Sequence, residues 1–167
     1  MREFKDFLQL VRTRRSIRRF RKEKVPENLL EGIIEAGRWA PSGLNNQPWR
    51  FKIMGGKEKD DLANFTKYSS IIKSADKVIL VFLDKNSSYH YQKDLMAIGA
   101  CIENMLLYTH WQGWGGCWLG EILNRKEEVN KFLGLADNLE LCAVLALGKP
   151  FKKISKGKRY KLSKLLL

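Results

Sequence analysis

The sequence predicts an α+β fold with few strands and long helices, and three observations carry that prediction. Two continuous apolar runs of strand length, "KVILVFL" at 77–83 and "LELCAVLAL" at 139–147, stand far apart in the chain. Between them lies one long, largely apolar helical stretch, "KDLMAIGACIENMLLYTHWQG", with Gly113 as its stop. Ahead of both, "KVPENLLEGIIEAGRWAP" places Leu29, Leu30, Ile33 and Ile34 on one helical stripe.

Taken in order, Phe4, Phe7, Leu8 and Val11 recur at helical spacing, which predicts an amphipathic helix over residues 3–12. "RTRRSIRRF" follows as a loop or extended segment. Pro26 suits the first turn of the second helix and Pro41 ends it. A polar loop, "SGLNNQP", leads into "WRFKIM", whose alternation of apolar and basic residues predicts a half-buried strand closed by Gly55 and Gly56. Residues 57–68 read as helix. The run at 77–83 reads as a central strand covered on both faces. The long helix carries Asp94, Glu103 and Asn104 and so belongs in a protein core rather than in lipid. "WGGCWLGE" reads as a glycine-rich aromatic loop with a short strand, residues 125–133 as a short helix, and 139–147 as a buried strand stopped by Gly148 and Pro150. A basic tail ending in "LLL" completes the chain.

The 167 residues suit one domain with a sizeable core, and 44% hydrophobic with 29% charged residues is a globular balance. No internal repeat, low-complexity block or linker divides the chain, so a single domain over 1–167 is expected. No apolar run approaches the roughly 20 residues of a membrane span. The N-terminus lacks a signal-peptide core, and Glu3 and Asp6 argue against a transit peptide, which predicts a cytoplasmic protein. The three cysteines, Cys101, Cys117 and Cys142, are odd in number, widely spaced and form no C-x-x-C pair; they read as buried apolar residues rather than a disulfide or zinc framework. His90 and His110 read as an exposed polar residue and a helix-face residue, and no metal is expected.

Net charge is +13 and uneven. Residues 12–24 hold eight Lys/Arg against one acid, and residues 149–164 hold eight against none, so the rest of the chain nets −2. Basic character concentrated near both ends marks a localised anion site, or a pair of them.

Within the first cluster, "RRSIRRF" combines guanidinium forks with a hydroxyl, a donor set that can saturate phosphate oxygens. In an extended segment Arg14, Ser16 and Arg18 share one face, and Arg15, Ile17 and Arg19 the other. The same run also fits a solvated basic turn. "APSGLNNQPW", residues 40–49, offers amides that both donate and accept, which suits the edge of a heteroaromatic ring; it equally fits a helix stop and turn. "GWGGCWLGE", residues 113–121, lets backbone approach a flat ligand between tryptophan walls, and equally fits a helix cap running into a strand.

Together and in this order, these segments resemble the FMN-dependent nitroreductase family. "RRSIRRF" and "APSGLNNQPWRF" are similar to its R-R-S-x-R and A-P-S-x-x-N-x-Q-P-W signatures. "DLMAIGACIENMLLYTHWQGWGGCWLGE" resembles its central helix and the glycine-rich segment behind it, and "LALGKP" with "GKRYKL" resembles its closing strand and basic C-terminal motif. The resemblance runs from about Phe4 to Leu166. It implies a nitroreductase-like, mixed but mostly antiparallel sheet flanked by helices, in an intertwined homodimer with FMN at the interface. Carried over residue by residue, Arg14, Arg15, Ser16 and Arg159 would hold the FMN phosphate, and Arg18 would lie by the pyrimidine edge. Pro41, Ser42, Gly43 and Asn45, with Gln47, would reach the flavin across the interface. Trp118, Leu119 and Gly120 would line the isoalloxazine, with the Leu119 N–H facing N5.

The implied activity is that of an NAD(P)H-dependent oxidoreductase. NADH or NADPH reduces the flavin, and a nitroaromatic, quinone or similar small acceptor reoxidises it by a ping-pong route. No catalytic side chain is implied. Three departures leave the acceptor open: the chain is short for the family, "KYSSIIK" matches no flavin contact within 57–74, and Leu44 is apolar where some members carry a small polar residue. Other flavin chemistry, such as dehalogenation, is an alternative. A nucleic-acid-binding module fits the charge but lacks any recognised motif, so neither nucleic acid nor membrane is expected as a partner.

Overall fold

The computed structural model describes residues 5–152 and 157–167. Residues 3–4 of the predicted first helix, and Lys153 and Lys156 of the second basic cluster, lie outside the described residues.

Helix α1 (Phe7–Thr13) is capped by Asp6, whose side chain accepts from the Gln9 N–H at 2.7 Å. Its predicted apolar stripe is not covered: Phe7, Leu8 and Val11 are all exposed. Strand β1 (Phe20–Arg21) is short and begins at the last residue of the stretch expected to be a loop or extended segment. Helix α2 (Glu27–Arg38) buries Leu29, Leu30 and Ile33, as its stripe predicts. Strand β2 spans Trp49–Gly55.

The helix expected over 57–68 stops early: α3 spans Gly56–Leu62, a 3-10 turn follows at Ala63–Phe65, and a further helix, α4 (Ser69–Ser74), lies beyond the expected range. The break has a tertiary cause. Thr66 is extended, and its hydroxyl donates to the carboxylate of Glu121, far away in sequence. Lys59 in α3 is 4% exposed, and its ammonium caps the end of α4 by donating to the Ile72 carbonyl at 2.9 Å.

Strand β3 (Lys77–Asp84) is central, between β2 and β5 (Leu139–Pro150). Along β5, β4 (Gly115–Leu119) pairs with residues 144–148 and β1 with 149–150. All of these pairings are antiparallel. The expected stop at Gly148 is corrected: β5 runs on to Pro150. Gly148 pairs with Gly115, and a Cβ there would lie 2.9 Å from the Phe20 ring. The glycine serves close approach of β1, not termination.

Alternation along β3 sends Val78, Leu80 and Phe82 into one core and Ile79, Val81 and Leu83 into the other. The first core packs under α3, α4 and α6 (Lys126–Leu133) through Leu62, Ile72 and Val129. The second packs under α2 and the long helix α5 (Tyr91–Trp111) through Ile33, Ile98, Ile102 and Met105. Each fully buried Leu or Ile contributes about 1.5–3 kcal/mol. Of the cysteines, Cys101 and Cys117 are buried and Cys142 is half-buried, and all are free thiols. His110 is more enclosed than a helix-face residue, with Nε2 3.0 Å from the Thr13 hydroxyl.

Candidate functional site

Three segments form the site, and α5 is the rod on which they are mounted. The first is the arginine strip. Arg14 leaves α1 with extended backbone, and the chain then runs beside β4. Ser16 bridges Gly116 in parallel, and the Ile17 N–H donates to the Gly116 carbonyl at 3.0 Å. Ile17 and Phe20 turn inward and are buried, while Arg18 and Arg19 remain exposed. Ile17 and Arg18 alternate as the sequence predicts, but Arg19, expected on the face of Ile17, is exposed, so the alternation ends there.

The two leading arginines differ. The Arg14 guanidinium is half-buried, with Nε 3.5 Å from the Glu103 carboxylate on α5. Arg15 is turned onto the backbone: its Nη1 donates to the carbonyls of Arg12 at 2.7 Å and Arg14 at 2.6 Å. Its Nε is buried with no partner among the described residues. A Cβ at Gly157 would lie 2.5 Å from this guanidinium. The basic C-terminal motif therefore arrives beside the N-terminal one, and Arg159, exposed, lies two residues further on. Between the clusters, the Phe151 N–H donates to the Arg19 carbonyl at 3.1 Å and the Arg19 guanidinium sits over the Phe151 ring.

The second segment is β4 and the turn behind it. Trp118 is 44% exposed while Leu119 is buried. Burial raises the Cys117 thiol pKa, opposed by the positive charges of Arg18 and Arg14, which lie close enough to β4 to be felt there. After Gly120, Glu121 reaches across to the 66–68 turn. Its carboxylate accepts from the Thr66 hydroxyl at 2.5 Å and the Lys67 N–H at 3.1 Å. The Thr66 hydrogen bond is the main cause of a Glu121 pKa below the usual carboxylate value.

The third segment is the loop Pro41–Gln47. Leu44, Asn45 and Gln47 all take positive φ, at 55°, 54° and 45°. For non-glycine residues this costs of order 1–3 kcal/mol each, so the loop holds its shape only because its surroundings impose it. The Ser42 hydroxyl accepts from the Gln47 N–H at 3.1 Å. Arg50, paired with Asp84 at 2.7 Å, donates to the Gln47 carbonyl at 3.2 Å. The Tyr89 phenol lies where a Gly43 side chain would be; a Cβ there would meet its oxygen at 1.9 Å. Leu44 stands 85% exposed.

Within one chain the strip and β4 meet at the Ser16–Gly116 bridge, but the loop meets neither. Asn46 of the loop hydrogen-bonds Asp94 near the start of α5, Arg14 sits by Glu103, and Thr13 meets His110 near its end. At 1.5 Å per residue, loop and strip are about 14 to 24 Å apart along the helix. No hydrogen bond or ion pair among the described residues joins the loop to 14–18 or to 115–120. Asn46, Thr66, Tyr89, Asp94, Glu103 and Glu121 escape sequence reading, because their partners are remote and no spacing rule links them.

A glycine-rich strand edge beside clustered guanidinium groups and a serine hydroxyl suits a flat, anionic ligand laid along a sheet edge. The donor set suits a phosphate, and the exposed Trp118 beside Gly120, where a Cβ would meet nothing within 4 Å, suits a ring. The sequence profile of the nitroreductase family matches residues 11–70 and 63–149. The chain belongs to the nitroreductase family. It is 31% identical over 148 residues to a protein of Archaeoglobus fulgidus provisionally named NADH dehydrogenase/NAD(P)H nitroreductase, covering 86% of this chain and 84% of that one. It is 28% identical over 170 residues to iodotyrosine deiodinase of Thermotoga neapolitana, covering 84% and 87%. It is also similar to the crystal structure of a provisionally named nitroreductase from Desulfovibrio desulfuricans in complex with FMN. That match has 44% identity and a TM-score of 0.93 over 96% of this chain and 94% of that one. Among the described residues no helix is long and apolar enough to cross a membrane.

Proposed function

We propose that this chain, as one domain over residues 1–167, is an FMN-dependent NAD(P)H oxidoreductase that acts as a homodimer. The observation that carries the reading is the Ser16–Gly116 bridge, which lays the cationic strip directly along the glycine-rich strand. A phosphate end and a ring end thereby lie on one continuous edge. FMN-bound and NAD(P)H-named relatives of this chain support the same cofactors.

Arg14, Ser16 and Arg159 hold the phosphate, with Arg15 fixing the turn from which Arg14 projects. Arg18 sets positive charge by the ring edge, where it favours the reduced, anionic form. Trp118, Leu119 and Gly120 wall the ring, and the Leu119 N–H serves as donor to N5. Pro41, Ser42, Gly43, Asn45 and Gln47 act on the flavin of the other protomer. Their distance along α5 from the strip of their own chain supports this assignment to the partner's site.

The bound FMN supplies hydride transfer, from NADH or NADPH to a nitroaromatic, quinone or similar small acceptor, in ping-pong order on one open face. The protein's part is binding, orientation and charge, and no side chain is assigned as nucleophile or general acid. The likeness to an iodotyrosine deiodinase supports a second reading, reductive removal of halogen from an aromatic acceptor at the same site.

The test is the visible spectrum of the purified protein, followed by anaerobic NADH and NADPH. Expected are a flavin spectrum, bleaching by at least one donor, recovery on adding a nitroaromatic, and FMN in the heat-released extract. FAD alone in that extract would contradict the phosphate pocket. Iodide release from an iodinated phenol would select the second reading.

A further inference from the structure

We infer that Asp94 is a positioning residue for the left-handed loop 42–47, acting through Asn46; this rests on the proposal that the loop faces the partner's flavin. Asp94 has no solvent exposure, so its carboxylate must be satisfied inside the protein. One oxygen, Oδ2, does the work of capping α5. It accepts from the Ser88 hydroxyl at 2.6 Å and from the N–H groups of Tyr89 and His90 at 3.2 Å each. Capping needs no more than that. The other oxygen, Oδ1, accepts from Asn46 Nδ2 at 2.8 Å.

Asn46 is held by its donor end alone. Its Nδ2 also donates to the Ser87 carbonyl at 2.9 Å, while its Oδ1 is buried with no partner among the described residues. The amide therefore cannot flip without setting an oxygen against the Ser87 carbonyl. Asn46 lies between Asn45 and Gln47, two of the positive-φ residues, and its anchorage is what keeps them there. Asp94 grips the loop a second way: it fixes the backbone of Tyr89, whose phenol packs onto Gly43. The helix start and the loop shape are thus one hydrogen-bonded unit with Asp94 at its centre.

An asparagine at 94 has a single carbonyl oxygen. It can face the capping donors or Asn46, not both. The effect should appear in the reaction of the acceptor with the flavin rather than in retention of FMN, because the phosphate strip is untouched.

The experiment compares Asp94→Asn, Asn46→Ala and the double variant as FMN-loaded holo-protein. It records FMN occupancy, circular dichroism of the bound flavin, melting temperature, and kcat/KM for a nitroaromatic acceptor per bound flavin. Expected are full FMN occupancy, altered flavin dichroism and a loss in acceptor kcat/KM of roughly 10- to 100-fold in each single variant. The double variant should be no worse than the poorer single, since both cut the same connection. Losses that multiply would overturn the inference. So would an Asp94→Asn protein with a lower melting temperature but wild-type dichroism and kinetics, which would make Asp94 a helix cap only. If Asp94→Asn does not fold, Asn46→Ala decides alone: altered dichroism with slowed acceptor turnover supports the inference, and wild-type behaviour overturns it. A wild-type protein without FMN would fail the functional reading and this inference together, whereas an active wild type with silent variants would fail this inference alone.

Discussion

Ser16 and Gly116 form a parallel bridge, and beside it a Cβ on Gly115 would stand 2.6 Å from Ile17 Cγ1 and 2.9 Å from Ile17 Cβ. The arginine strip is seated on β4 by a contact that only glycine permits. Gly115→Ala must push Ile17, and with it Arg14 and Arg18, away from the strand. Overpacking of this kind costs about 1–3 kcal/mol. The expected outcome is a lower melting temperature together with weaker FMN binding, measured by thermal denaturation and flavin titration. Destabilisation with unchanged FMN affinity would separate the strip from the cofactor.

Arg14→Ala and Arg159→Ala should each weaken FMN binding without unfolding the chain. Each removes a charge-assisted hydrogen bond worth roughly 1.5–3 kcal/mol, or about 10- to 150-fold in affinity. Fluorescence titration of the apo-protein with FMN measures this, and unchanged affinity in both variants would assign these arginines elsewhere.

Glu121→Gln tests the clasp between β4 and the 66–68 turn. The amide offers Thr66 and Lys67 a weaker acceptor than the carboxylate does. The turn should loosen, seen as faster amide exchange at Lys67, and the visible spectrum of bound flavin should shift if the turn borders the ring.

The dimer prediction rests on the exposed apolar residues of α1 and of the C-terminal Leu165, Leu166 and Leu167, and on a loop that its own chain holds far from the strip. Obligate interfaces exceed roughly 2,000 Å², so dilution to micromolar protein should leave the dimer intact. Light scattering with flavin occupancy at each dilution reads both quantities. A monomer with its full complement of FMN would contradict the assignment of Ser42 and Gly43 to the partner's site.

Acid should unfasten the loop. A hydrogen bond from Asn138 is the first cause of the lowered Asp84 pKa, reinforced by Asn86, Ser87 and Arg50. Burial works to raise Asp94, but hydrogen bonds from Ser88, Asn46, His90 and Tyr89 outweigh it and leave its pKa lowered as well. A depressed folded pKa contributes stability that is present above the unfolded value, near 3.9, and is lost as pH falls through the folded value. Melting temperature should therefore change little from pH 7 to about 5 and drop below about 4. Asp84→Asn should flatten that acid limb, and an unchanged limb would remove Asp84 from the explanation.

Local pattern was enough to define the strands at 49–54 and 77–83, the stripe of α2, the long helix, and the order of the three segments proposed to face the ligand. These features depend on neighbours within a few residues, where periodicity, glycine, proline and charge speak directly. The sequence also located both basic clusters, because charge density needs no fold to be read. Tertiary structure decided what depends on remote partners. Thr66 breaks a predicted helix because Glu121 holds it, and β5 continues through Gly148 because Phe20 needs the space. Arg15 turns onto its own backbone while Arg14 turns to Glu103, although the two are adjacent and chemically alike. The shape of loop 42–47 comes from Asp94 through Asn46 and from Asp84 through Arg50, links that no spacing could announce. A hydrogen bond across 48 residues, such as that from Asn46 to Asp94, leaves no mark on either local sequence, and only the folded chain brings its two ends within reach.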